Sequence, residues 1–131
     1  MDEFQKELIT DKERIDALYV ASIYSDINLY HKYPVDSKMI LGSQQSPKPF
    51  KLFYRIAERM INNGYSTLDA ISVDSYVKDK LSSSTQKQYN EYGGFETILK
   101  VSELVSTENM EKYYDDVLKY NALLRLEGKG M

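Results

Sequence analysis

Near the end of the chain Met110, Val117 and Leu124 recur every seven residues, and Tyr113 and Tyr120 follow the first two by three. Spacings of three and four place all five side chains on one stripe of an α-helix, and a strict seven-residue repeat presents a narrow seam to another helix. Ser106-Thr107 precede the run, with Glu108 and Glu111 near its start. No apolar–polar alternation lasts more than a few residues anywhere in the chain, so the expected class is all-α, a small helical bundle.

A chain of 131 residues with 42% hydrophobic residues suits one domain with one core. Its apolar runs fall far short of the roughly 20 residues that cross a bilayer, and Met1-Asp2-Glu3 is acidic where a signal peptide is basic. A cytoplasmic protein without membrane contact is expected. The absence of cysteine removes disulfides, thiolate catalysis and thiolate metal sites together. A net charge of -3 argues against a domain built to wrap nucleic acid, while leaving room for a local basic face. Twelve tyrosines against four phenylalanines and no tryptophan suit half-buried contact positions, where the ring packs and the hydroxyl reaches water or a partner. An AT-rich coding sequence accounts for them equally well.

Read along the chain, residues 1–9 form a flexible lead-in and residues 10–106 a globular helical domain. A C-terminal helix follows over 107–127, then a flexible tail over 128–131. Thr10 and Glu13 have the spacing of a capping box and predict the first helix start, with Ile15, Leu18, Tyr19, Ser22 and Ile23 on its inner face. A short helix covers Asp26 to Tyr33 and stops at Pro34. A loop to Ser46 dips Val35, Met39, Ile40 and Leu41 into the core. Pro47 and Pro49 fit the first turn of the next helix, whose apolar face (Phe50, Phe53, Tyr54, Ile56, Ala57, Met60, Ile61) marks it as the central core helix; Asn62-Asn63-Gly64 ends it. Ser72 caps a small helix with Val73, Tyr76 and Val77. The polar stretch Leu81 to Glu91 lacks a steady period and reads as a mobile linker. Gly93-Gly94 then turns the chain into a helix carrying Phe95, Ile98 and Leu99.

No residues have the spacing of a catalytic centre. Gly128-Lys129-Gly130 is not a phosphate-binding loop, lacking both the spacing and a preceding strand. The single histidine, His31, has no second soft ligand to make a metal site. Asp115 and Asp116 diverge by about 100° on a helix, which leaves them and Glu111 as a solvated edge. The chain is therefore expected not to be an enzyme by itself, with no catalytic, cofactor-binding or metal-binding residues. Two surfaces remain. Lys48, Lys51, Arg55 and Arg59 share one stripe opposite the apolar face of their helix, either as its wet side or as a contact for an acidic partner or a phosphate. The tail stripe of Met110, Tyr113, Tyr114, Val117, Tyr120 and Leu124 is either an oligomer interface or part of the chain's own core.

The order of these elements resembles the N-terminal domain of bacterial and phage replicative DNA helicases of the DnaB family. The helix with Ile15, Leu18 and Tyr19 is similar to that family's opening helix. Phe53-Tyr54-Arg55-Ile56 through Asn63-Gly64 resembles its central helix and glycine-terminated turn. Leu68-Asp69-Ala70-Ile71-Ser72-Val73 looks like the segment into the next helix, and Tyr92-Gly93-Gly94-Phe95 like its double-glycine helix start. Thr107-Glu108-Asn109-Met110-Glu111-Lys112-Tyr113 and Asn121-Ala122-Leu123-Leu124-Arg125-Leu126 resemble the two ends of the helix leading out of the domain. The resemblance spans residues 13–126, with a longer Val35 to Gln45 segment and a serine-rich stretch in place of the acidic-basic connector.

The resemblance implies a non-catalytic collar whose C-terminal helix is the first arm of a helical-hairpin linker. Such a domain forms homodimers or a hexameric ring and recruits primase or a helicase loader in DNA replication, with DNA contact indirect. ATP and magnesium belong to the motor domain of a full-length parent, if one exists, from which this segment would be excised; a naturally short homologue is the other reading. The alternatives are a stand-alone phage regulator imitating that domain to capture host replication proteins, and a small nucleic-acid-binding module using the basic helix face.

Overall fold

A computed structural model describes residues 2–129, with side chains to residue 126. Among the described residues the chain forms seven α-helices and no strand: α1 (Glu3–Ser25), α2 (Asn28–Lys32), α3 (Pro49–Asn62), α4 (Ala70–Lys80), α5 (Ser83–Glu91), α6 (Gly94–Ser102) and α7 (Met110–Lys129). Two 3-10 turns, Ser37–Met39 and Thr107–Asn109, interrupt the longer connections. None of the described helices is long and apolar enough to cross a membrane.

The central helix is α1, not α3 as the apolar face of the latter suggests. Tyr19 through Tyr24 are six consecutive buried residues, which requires cover on every side; α2, α3, α6 and α7 supply it. α3 buries one face only, including Phe53, Tyr54, Ile56, Ala57 and Met60. The first helix also starts earlier than expected, because Asp2 and Gln5 form the capping box: Gln5 N–H donates to Asp2 Oδ1 at 2.8 Å, and Asp2 N–H donates to Gln5 Oε1 at 3.4 Å. Thr10 lies inside α1 and donates its hydroxyl to the Lys6 carbonyl at 3.0 Å, so residues 1–9 are not a loose lead-in from Glu3 onward.

The serine-rich stretch expected as a mobile linker is α5. Ser82 caps it, accepting Thr85 N–H at 3.2 Å, and Gln86 Nε2 donates to the Leu81 and Lys78 carbonyls at the end of α4, at 2.9 and 3.1 Å. Tyr89 is its buried anchor. α4 is capped by Asp69, not Ser72, whose N–H donates to Asp69 Oδ1 at 2.9 Å. The turn from α5 into α6 needs its glycines: Gly93 and Gly94 have φ of +94° and +59°, and a Cβ on Gly93 would meet Thr97 Oγ1 at 2.2 Å.

α7 packs mainly on α1 and runs antiparallel to it. Tyr114 packs against Tyr33 with the rings tilted, centroids 5.4 Å apart, and the Tyr33 carbonyl accepts the Tyr19 hydroxyl at 2.6 Å; further along α7, Asn121 and Leu124 share a pocket with Lys12. The helix reaches Lys129, past the boundary expected at 127; the remainder of the expected tail, Gly130 and Met131, lies outside the described residues.

The tyrosines mostly serve the interior. The Tyr54 hydroxyl donates to the Val35 carbonyl, Tyr24 to the Phe53 carbonyl at 2.6 Å, and Tyr89 to Asp74 Oδ1 at 2.6 Å. Burial pushes the Tyr19, Tyr24, Tyr54 and Tyr89 hydroxyls up from the ordinary phenol range, so each stays a neutral donor. Tyr19 and Tyr54 hold the carbonyls on either side of Pro34 and so fix the exit from α2.

Candidate functional site

The tail seam divides along its length. Met110 and Val117 are enclosed by the chain's own core, at 1% and 0% exposure. Both are thereby corrected from seam to core, since a folded partner cannot reach them. Tyr113, Tyr114 and Tyr120 are half-buried and pack against the same core. Tyr113 also accepts Ser106 N–H at 3.2 Å, tying the lead into α7 to its second turn. Leu124 is half-buried beside Lys12. Beyond it Leu126 is 66% exposed, and at the same end of the antiparallel pair Phe4 of α1 is 57% exposed.

The basic stripe is also divided. Lys48, the residue before α3, pairs with Glu13 of α1 at 2.8 Å. Lys51 Nζ donates to the Ser37 and Ile40 carbonyls; burial and then repulsion from Arg55 push its pKa down. Arg55 and Arg59 are exposed, and neither forms a salt bridge among the described residues. Glu58, one turn beyond Arg55, accepts the Tyr30 hydroxyl at 3.3 Å. Lys48, Lys51 and Arg55 line a groove of about 320 Å³ between α3, the 42–47 loop and α5, where Leu52, Gln88 and Tyr92 complete the floor and far wall. Arg59 is not part of it.

A buried charged cluster beside this groove was not foreseen from the sequence. Lys12 and Asp16 form an ion pair on α1 with side chains 1% and 3% exposed. Lys12 also donates to the Met39 carbonyl at 2.5 Å, and Asp16 Oδ2 accepts Leu41 N–H at 2.8 Å. Burial pushes Lys12 down and Asp16 up, while their mutual attraction opposes both shifts. With Lys51 on the Ser37 and Ile40 carbonyls, the three side chains clamp residues 37–41 onto α1 and α3. The signal was present: Leu8, Lys12, Ile15 and Tyr19 fall at spacings of four, three and four, so a lysine occupies a core position of the stripe.

The remaining polar candidates stay apart. His31 is exposed with its ring edge-on to Tyr30, centroids 5.5 Å apart. Asp116 pairs with Lys112 at 2.9 Å. Among the described residues no three histidine, cysteine or acidic side chains gather around a point that could hold a metal.

No family model matches the chain, and neither a characterised protein nor a solved structure matches it. The likeness to the helicase collar therefore stands on the residues quoted for it.

Proposed function

We propose that the chain is a non-catalytic interaction and oligomerisation domain of the helicase-collar kind, acting in DNA replication by self-association and by recruiting a primase or loader. The observation that carries this reading is the open end of the α1–α7 pair. Phe4 and Leu126 stand exposed there, and Leu123 and Leu124 are only half-covered. Exposed apolar side chains on the outer turns of α1 and α7 are a contact that a second copy can close, and the collar resemblance assigns its C-terminal helix that role. In a ring-forming parent the motor domain would supply ATP and magnesium chemistry, and this segment would supply geometry.

Sedimentation equilibrium tests the reading directly. The wild-type chain is expected to associate as concentration rises into the hundreds of micromolar, and Phe4→Ser/Leu126→Ser to remain monomeric with an unchanged circular dichroism spectrum. A wild-type chain that stays monomeric throughout, both alone and fused to a hexameric motor, overturns it.

A further inference from the structure

We infer that the groove between α3, the 42–47 loop and α5 binds a short acidic peptide segment of a partner protein, one carboxylate on Arg55 and Lys51 and a neighbouring apolar side chain on Leu52 and Tyr92. The inference rests on the recruitment reading above and gives that recruitment a place and a chemistry.

The ten residues lining this groove include three cations and no aspartate or glutamate, in a chain whose net charge is -3. The larger grooves elsewhere are mixed in sign: Asp74 and Glu96 stand with Lys78 in one, and Glu13 and Asp16 with Arg14 and Lys48 in another. Two of the cations, Lys48 and Lys51, are also held in place before any ligand arrives. Gly42, at φ +145°, brings its loop so close to α3 that a Cβ there would lie 2.9 Å from Lys51 Cβ. Lys51 is fixed by two carbonyls, and Gln88 Nε2 reaches the Tyr92 hydroxyl at 3.3 Å on the opposite wall. Repulsion between Lys51 and Arg55 is a standing cost that an anion lodged between them relieves. Arg55 offers the planar fork that grips a carboxylate through two hydrogen bonds.

The same features favour a peptide over a nucleic acid strand. Lys48 is already paired with Glu13 and Lys51 already shared with carbonyls, so Arg55 is the one cation lining this groove whose donors are uncommitted among the described residues. Carboxylates lie just outside: Glu58 one turn along α3, and Asp36 within electrostatic reach of Lys51. A chain of phosphates leaving the groove would meet them at once, whereas a segment with one or two carboxylates beside an apolar residue would not. A volume of about 320 Å³ fits one or two side chains rather than a helix.

The test is a titration of the isotopically labelled full chain with acetyl-Glu-Leu-Glu-Leu-amide, followed by amide chemical shifts. Saturable shifts at Gly42, Arg55, Gln88 and Tyr92 are expected, with affinity falling about tenfold or more in Arg55→Glu and on raising salt. Arg55→Gln, which keeps the side chain's length and an amide, serves where charge reversal disturbs the spectrum. The basic analogue acetyl-Lys-Leu-Lys-Leu-amide should leave these amides unmoved. Absence of shifts there at millimolar peptide, or shifts indifferent to both Arg55 variants, overturns the inference. So does tighter binding of octathymidylate at the same amides, which would give the groove to phosphates. A chain that stays monomeric yet binds the peptide here fails the oligomer reading alone, and a chain that assembles but ignores the peptide fails this one alone.

Discussion

The two ends of α7 carry similar residues and meet opposite fates. Its first half buries Met110 and Val117 against α1 and the core, to 1% and 0% exposure, while Leu124, the next residue of the same seven-residue repeat, is only half-buried. The helix and its repeat are continuous between them; what changes is the cover. The middle of α1 is surrounded by α2, α3 and α6, so α7 closes a core already three-sided. Farther out, the cover at Leu124 comes from Lys12 and the 38–46 segment, and at the start of α1 Phe4 is 57% exposed although Leu8 is still buried. A heptad stripe thus specifies that something must lie along it, and the neighbours decide, turn by turn, whether that is the same chain.

The sharpest attempt to break this contrast is made where the middle of α7 faces α1. Asp16→Ala leaves Lys12 charged, buried and unpaired and takes the acceptor from Leu41 N–H, and should cost about 3–5 kcal/mol in urea unfolding. Replacing both partners by apolar residues, Lys12→Met with Asp16→Leu, should recover most of that loss; if the double variant is no better than the single, the pair holds the loop by more than charge balance.

Met110→Ala comes next, at about 2–5 kcal/mol. Its decisive property is independence of protein concentration, because a midpoint that rises with concentration would put Met110 at an interface and erase the difference between the two ends. Tyr54→Phe should cost about 1–3 kcal/mol by stranding the Val35 carbonyl; no change in thermal melting would mean that water replaces the hydroxyl there. The smallest effect on folding belongs to Leu126→Ser, within about 0.5 kcal/mol of wild type, yet this change should weaken self-association in sedimentation. A large loss of monomer stability instead would show that the outer turns are as much core as the inner ones.

How far each element can be read from the chain follows from how many side chains it buries. α3 is plain because its buried residues, Phe53 to Ile61, keep a helical period over about two and a half turns, and Pro49 and Gly64 punctuate its ends. α5 is hidden because it buries Tyr89 alone and is held by Ser82 and Gln86 through backbone hydrogen bonds, which leave no hydrophobic pattern. The start of α1 misleads because two capping motifs compete, Asp2–Gln5 and Thr10–Glu13, and local spacing does not rank them. The groove at Arg55 is half-legible: the cationic stripe is periodic, but Gln88 and Tyr92 arrive from α5 and the residue that caps it, more than thirty residues away. The tyrosines are conspicuous by number, while their use as donors to the Tyr33, Val35 and Phe53 carbonyls depends on distant backbone.

The sequence by itself determined that the chain is helical, that α3 and α7 each carry one apolar stripe, and that cations gather on α3, because these follow from residue spacing along a single helix. Only the tertiary structure decided which helix is central, which half of the tail seam is spent inside the molecule, and which cations of the basic stripe are already engaged. Those outcomes depend on what lies opposite a side chain, and burial and pairing are properties of two surfaces, of which any one segment of sequence describes only its own.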